Sequence, residues 1–136
     1  MSLLKAIIKD GPNMRMPYRD METHLELLSQ YQKSYEDKIK IYKGFEAEGL
    51  SVYFDYYQKL LYEHKVDYLI LGHHFHKHCI SNDYFGKEKM TKKDIYLYCN
   101  DVEKALETNL FSYLAHPDLF LIGYNQFDLD VQTVSR

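Results

Sequence analysis

The 136-residue sequence has no tryptophan and only two cysteines, Cys79 and Cys99. The cysteines lie 20 positions apart and form no CxxC pair, which indicates reduced thiols in a reducing compartment. An excess of positive charge is also lacking. With 17 basic and 20 acidic residues the net charge is −3, which argues against a nucleic-acid partner and a polybasic membrane anchor. No apolar run approaches the ~20 residues of a membrane-spanning helix. The N-terminus lacks a signal-peptide pattern, so we expect a cytoplasmic protein.

The residues that are present have the balance of an ordinary globular protein, with 46% hydrophobic and 27% charged residues. A chain of this length can bury one core of useful size. It contains no internal repeats, low-complexity tracts or linkers. The sequence therefore predicts a single domain over residues 1–136.

Helical and strand patterns alternate along the chain. Apolar residues at helical spacing predict helices, and runs of β-branched and aromatic residues predict strands. Thr91 is a plausible N-cap, with Asp94 three residues later as in a capping box. The predicted helices span 18–37, 50–64 and 91–109, and the predicted strands span 38–46, 66–72 and 110–115. This order is typical of βαβ units with a parallel sheet, so we predict an α/β fold.

Polar side chains follow the carboxyl ends of all three predicted strands, in "GFEAEG", "GHHFH" and "AHPDL". Functional groups of parallel βα folds gather at this rim of the sheet. The rim would bring together Glu46, one of His73 and His74, and His116. A carboxylate with two imidazoles is a plausible site for a divalent metal, and this donor set suits Zn, Mn or Fe better than Ca or Mg.

Each of these residues also has a simpler interpretation. Glu46 could pair with a lysine at the strand end, and His116, before Pro117, could be a turn histidine bonded to backbone. His73 and His74 are consecutive, so on an extended chain they face opposite sides and only one can face the rim. Solvent exposure is the simpler interpretation of two further histidines in the polar stretch that follows, His76 and His78.

Taken in order, "IKIYKGFEAEG", "VDYLILGHHF" and "AHPDLF" resemble the PHP (polymerase and histidinol phosphatase) family, in particular its histidinol-phosphatase-like branch. The loop "GPNMRMPY" is similar to that branch as well, and the likeness spans nearly the whole chain. The resemblance implies a distorted (β/α)₇ barrel with two or three divalent metals at the carboxyl-end rim. It also implies hydrolysis of a small phosphate monoester by a metal-activated water, with L-histidinol phosphate as the suggested substrate.

The resemblance assigns roles to individual residues. Glu46 falls on the glutamate that bridges two metals, and His74, rather than His73, falls on the histidine of the strand-end motif. His116 falls on the histidine of the HPD motif. Independently of these assignments, Arg15 in the "GPNMRMPY" loop is a candidate ligand for the substrate phosphate, since guanidinium matches phosphate geometry, and a purely structural role is the alternative.

Several motifs of the family are missing from the sequence. There is no N-terminal HxH motif, no histidine after the second family strand and no C-terminal Asp-x-His motif. We therefore expect a partial PHP-like domain, whose exposed sheet edges would favour self-association. A catalytically silent metal-binding or interaction module of the same fold is the alternative to a phosphatase.

Overall fold

The computed structural model describes residues 18–76 and 84–134, so Arg15 and His78 lie outside the described residues. Short 3₁₀ turns at Tyr18–Asp20, Ser51–Tyr53 and Leu119–Ile122 accompany the helices. The regular elements, in chain order, are α1 (Met21–Ser34), β1 (Gly44–Ala47), α2 (Phe54–Tyr62), β2 (Tyr68–Leu71), α3 (Lys92–Leu106), β3 (Tyr113–Leu114) and α4 (Leu129–Val134).

The strands form one parallel sheet in the order β1-β2-β3. Glu46 of β1 lies opposite Ile70 of β2, and Leu71 of β2 lies opposite Leu114 of β3. The predicted α/β class with parallel strands is therefore confirmed. Within residues 18–76 and 84–134 the sheet has three strands and is open, not closed into a barrel.

The first strand is shorter than the predicted strand 38–46, because it begins only at Gly44. The backbone N–H of Ile39 instead donates to the carbonyl of Tyr35, which extends the turn after α1, and the Ile39 side chain is exposed. The residues before Gly44, with their β-branched pattern, have no parallel partner strand, since β2 begins opposite Gly44. Strand propensity alone does not form a strand without a neighbouring ladder.

The third strand is also shorter than predicted, with two residues instead of the six of 110–115. It pairs with only the last two residues of β2, Ile70 and Leu71. Backbone hydrogen bonds from Ser112 to Leu69 and from Ala115 to Leu71 continue the contact on both sides. The chain around β3 is thus held against β2 although the regular strand is brief.

Helix α3 begins as its sequence predicts. The side chain of Thr91 accepts a hydrogen bond from the Asp94 N–H, and the Asp94 carboxylate accepts one from the Thr91 N–H. This reciprocal pair is a capping box, which satisfies amide groups that the first helical turn leaves unpaired.

Two buried clusters pack against the same face of β2. One cluster surrounds Leu69 and includes residues of α1 and α2, while the other surrounds Leu71 and includes residues of α3 and α4. Leu69 and Leu71 are fully buried, whereas the alternate residues Tyr68 and Ile70 are only partly covered. The strand therefore presents one buried face and one accessible face, and side chains on the accessible face are free to form a site.

Candidate metal centre

The ends of the three strands meet at one rim. Gly72, just beyond β2, donates a backbone hydrogen bond to Ala47 at the end of β1, and Ala115, just beyond β3, donates one to Leu71 at the end of β2. These bonds carry the sheet register past the strand ends and so bring the residues after β2 and β3 close to β1. Glu46, His74 and His116 each offer a ligand atom there, and the three atoms all lie within 4.8 Å of one another.

Both histidines face the same carboxylate oxygen. Nε2 of His74 lies 3.5 Å from Oε1 of Glu46, and Nε2 of His116 lies 3.3 Å from the same oxygen. Ligands about 2.1 Å from a tetrahedral metal ion are about 3.4 Å apart, so both separations suit coordination to one ion. The donor set, one carboxylate and two imidazoles, is typical of zinc and other transition-metal sites. These residues therefore fit a divalent metal ion.

Gly72 makes room for the Glu46 side chain. A Cβ atom at position 72 would lie 2.6 Å from Cγ and 2.8 Å from Cδ of Glu46, far inside van der Waals contact. Only glycine leaves that space open, and the carboxylate crosses it to reach both histidines.

A second glutamate, Glu48, holds His74 in place. Its Oε1 lies 2.6 Å from Nδ1 of His74, and its Oε2 accepts a hydrogen bond of 2.8 Å from the backbone N–H of the same residue. The contact between the Glu48 carboxylate and the ring raises the pKa of His74, against the lowering effect of burial. Glu48 was not among the residues predicted for the site, although its position two residues after Glu46 indicates that both carboxylates lie near the strand end.

His116 is oriented by its backbone. It has a φ angle of 36°, in the left-handed region that few residues other than glycine adopt, and it precedes Pro117. Its carbonyl accepts hydrogen bonds from the Leu119 N–H at 3.0 Å and from the Tyr98 hydroxyl at 3.4 Å. Its buried Nδ1 has no hydrogen-bond partner among residues 18–76 and 84–134, so the ring is not a turn histidine bonded to backbone.

His73 points away from the rim, as expected for the neighbour of His74 on an extended chain. It is 0% exposed, and its ring packs 5.2 Å from Phe85 and 5.8 Å from Tyr98. Neither of its ring nitrogens makes a hydrogen bond within the described part of the chain, although Nε2 lies 3.5 Å from Asp101. His73 therefore belongs to the core beside α3.

His76 is not a solvated histidine, which corrects the simpler interpretation of the sequence. Its Nδ1 lies 2.6 Å from Oδ2 of Asp101 on α3. Burial would raise the pKa of Asp101, but its interactions with His73 and His76 outweigh burial and lower that pKa. No sequence pattern indicates this contact, because it depends on how α3 packs beside the end of β2.

The alternative for Glu46, an ion pair with a lysine, is not found in the described ranges, where the side chains within 4 Å of its carboxylate in the ion-pair geometry are the two histidine rings. No family model, curated protein or solved structure matches this chain. The likeness to the PHP family therefore rests on its sequence motifs.

None of the helices in the described residues is long and apolar enough to cross a bilayer.

Proposed function

We propose that this chain is part of a metal-dependent phosphoesterase in which Glu46, His74 and His116 bind a divalent ion, Zn, Mn or Fe. The observation that carries the proposal is the convergence of these three side chains at the carboxyl-end rim of a parallel sheet. The motif likeness to the histidinol-phosphatase-like branch of the PHP family supplies the reaction class, with L-histidinol phosphate as the proposed substrate. The same likeness supports a (β/α)₇ barrel in which the three strands seen here would take part.

The geometry of the rim suits hydrolysis of a small, soluble ester. A divalent ion at this site would lower the pKa of a bound water from about 15.7 towards about 7, which supplies a nucleophile at neutral pH. The Glu46 side chain is 48% exposed, so the rim is open to a substrate from solvent. Glu46 would contribute negative charge to a bound ion, while His74 and His116 would each contribute a ring nitrogen as donor.

One observation favours the alternative of a catalytically silent metal-binding module. The described residues contain one cluster of three suitable ligands, enough to hold a single ion. Two-metal sites stabilise both the attacking and the leaving oxygen of a phosphoryl group, whereas one ion does this less completely. On this alternative the chain binds a metal ion without turning over phosphate esters.

Metal binding and catalysis can be measured separately. Metal-stripped protein is titrated with Zn²⁺ and with Mn²⁺ in a calorimeter, and the loaded protein is assayed with a chromogenic phosphate ester and with L-histidinol phosphate. We expect about one ion per chain to bind, and His74→Ala and Glu46→Gln to lose that binding. His64→Ala is a matched control, because His64 lies just beyond α2 and is not in the cluster.

Each outcome decides between the two functions. Binding together with ester hydrolysis that disappears in His74→Ala supports the phosphoesterase. Tight binding without hydrolysis supports the silent module. A chain that binds neither ion would contradict both.

A further inference from the structure

We propose that Glu48 is a positioning residue, which selects the ring tautomer of His74 that presents Nε2 to the metal ion. The inference rests on the proposed metal site and adds a role for a residue outside its three ligands. Glu48 follows β1 directly, and its side chain is only 10% exposed. From there it reaches across to the segment after β2, where His74 lies.

One carboxylate makes two contacts with one residue. Its Oε2 binds the backbone N–H of His74 at 2.8 Å and its Oε1 binds ring Nδ1 at 2.6 Å. The first contact fixes where the chain passes after β2, and the second fixes the plane of the ring. Together they direct Nε2 towards Glu46, whose Oε1 lies 3.5 Å away.

The chemistry of the pair determines where the ring proton lies. An ionised carboxylate only accepts hydrogen bonds, so the proton of a neutral imidazole facing it must be on Nδ1. Nε2 then carries the lone pair that a metal ion requires. Carboxylates behind metal-binding histidines act in this way, and their loss typically costs about 10–100-fold in metal affinity.

Glu48→Gln is a stringent test because it keeps the size of the side chain and removes the second acceptor oxygen that favours an N–H at Nδ1 of His74. If the amide oxygen accepts from the His74 N–H, the amide NH₂ faces Nδ1 and moves the ring proton to Nε2. If the amide is turned round, its NH₂ opposes the backbone N–H and leaves a half-buried donor unpaired. In neither orientation are both contacts preserved with Nε2 free.

The experiment has a metal-free arm and a metal arm, both on the full chain. Nitrogen-15 NMR of the histidine rings, recorded above the raised pKa of His74 so that its ring is neutral, reports the tautomer without metal, with assignment from His74→Gln. We expect Nδ1–H in the wild type and Nε2–H, or a mixture, in Glu48→Gln. Calorimetric titration with Zn²⁺ should show an affinity about 10–100-fold lower in Glu48→Gln. Glu103→Gln, the same change at an exposed site on α3, should leave both readouts unchanged.

The outcomes separate the role of Glu48 from the metal site itself. If the wild type binds no Zn²⁺, the proposed site fails whatever the tautomer is. If the wild type binds Zn²⁺ and folded Glu48→Gln binds it equally well, the site stands and the role of Glu48 is overturned. If Glu48→Gln does not fold, the wild-type spectrum decides, because an Nε2–H tautomer in metal-free wild type contradicts the proposal.

Discussion

Gly72 and Glu46 lie so close across the sheet that a methyl group does not fit between them. A Cβ atom at position 72 would lie 2.6 Å from Cγ of Glu46. Glu46 cannot keep its present position if residue 72 is anything other than glycine. The Glu46 carboxylate therefore reaches the two histidines only because position 72, just after β2, carries no side chain.

Gly72→Ala should weaken metal binding because the new methyl group displaces Glu46 from His74 and His116. We expect a loss of about tenfold or more in Zn²⁺ affinity, in the range seen when ligand orientation is disturbed. Calorimetric titration measures this loss. The control is Gly44→Ala, whose Cβ would lie 2.7 Å from Cε1 of Tyr68, equally crowded but at the other end of β1. Equal Zn²⁺ affinities of Gly72→Ala and wild type would show that Glu46 does not need the space beside Gly72 to bind the ion.

His116 should show the cost of its left-handed backbone when its side chain is replaced. Asparagine tolerates a φ of 36°, whereas a β-branched valine does not. We expect His116→Val to lower the free energy of unfolding by about 1–3 kcal/mol relative to His116→Asn. Urea denaturation of the metal-free variants measures the difference, and both variants should lose Zn²⁺ binding. Equal stabilities would mean that position 116 is not held in this conformation.

Thr91→Ala should destabilise the fold by removing the capping box of α3. Replacing a threonine N-cap with alanine typically costs about 1 kcal/mol in the free energy of unfolding. The matched control is Thr133→Ala in α4, where the threonine hydroxyl donates to Leu129 on an exposed surface. We expect urea denaturation to show a change within about 0.5 kcal/mol for this control. A loss of the same size in both variants would argue that the cap contributes nothing specific.

Asp94 should make the stability of the chain depend on pH in the acid range. Burial would raise the pKa of Asp94, but hydrogen bonds from Thr91 and Lys87 outweigh it and lower that pKa below the ordinary 3.8. A lowered pKa means that the carboxylate stabilises the fold above the ordinary value, and that this contribution disappears as pH falls through the folded-state value. The stability gap between wild type and Asp94→Asn should therefore be largest at neutral pH and smaller at about pH 3. Denaturant unfolding at both pH values measures the gap, and a constant gap would contradict the prediction.

The parts of the fold that follow from local sequence were predictable. The apolar run "YLIL" forms β2, and Thr91 with Asp94 starts α3, because both signals act within a few residues. The meeting of Glu46 and His116 with one histidine after β2 was predictable for a different reason, since the rim of any parallel sheet gathers the residues that follow its strands. The choice of His74 over His73 came from the motif resemblance.

The remaining features depend on tertiary packing. The length of β1 is limited by where β2 begins, which no pattern in 38–46 reveals. The contact of His76 with Asp101 requires α3 to lie beside the end of β2. The two contacts of Glu48 depend on the path of the chain after β1 and after β2, so its position beside Glu46 does not by itself reveal that it binds His74.

The two histidines of the rim are fixed by unlike means, His116 through its backbone and His74 through a neighbouring carboxylate. Neither constraint depends on a bound ion, so the two nitrogen donors are already in position when an ion binds. Little conformational entropy is then lost on capture, and we expect metal uptake to be limited by diffusion and dehydration rather than by rearrangement of the protein. The more exposed Glu46 is the ligand best placed to adjust its distance, which would let one rim accept ions of different radius.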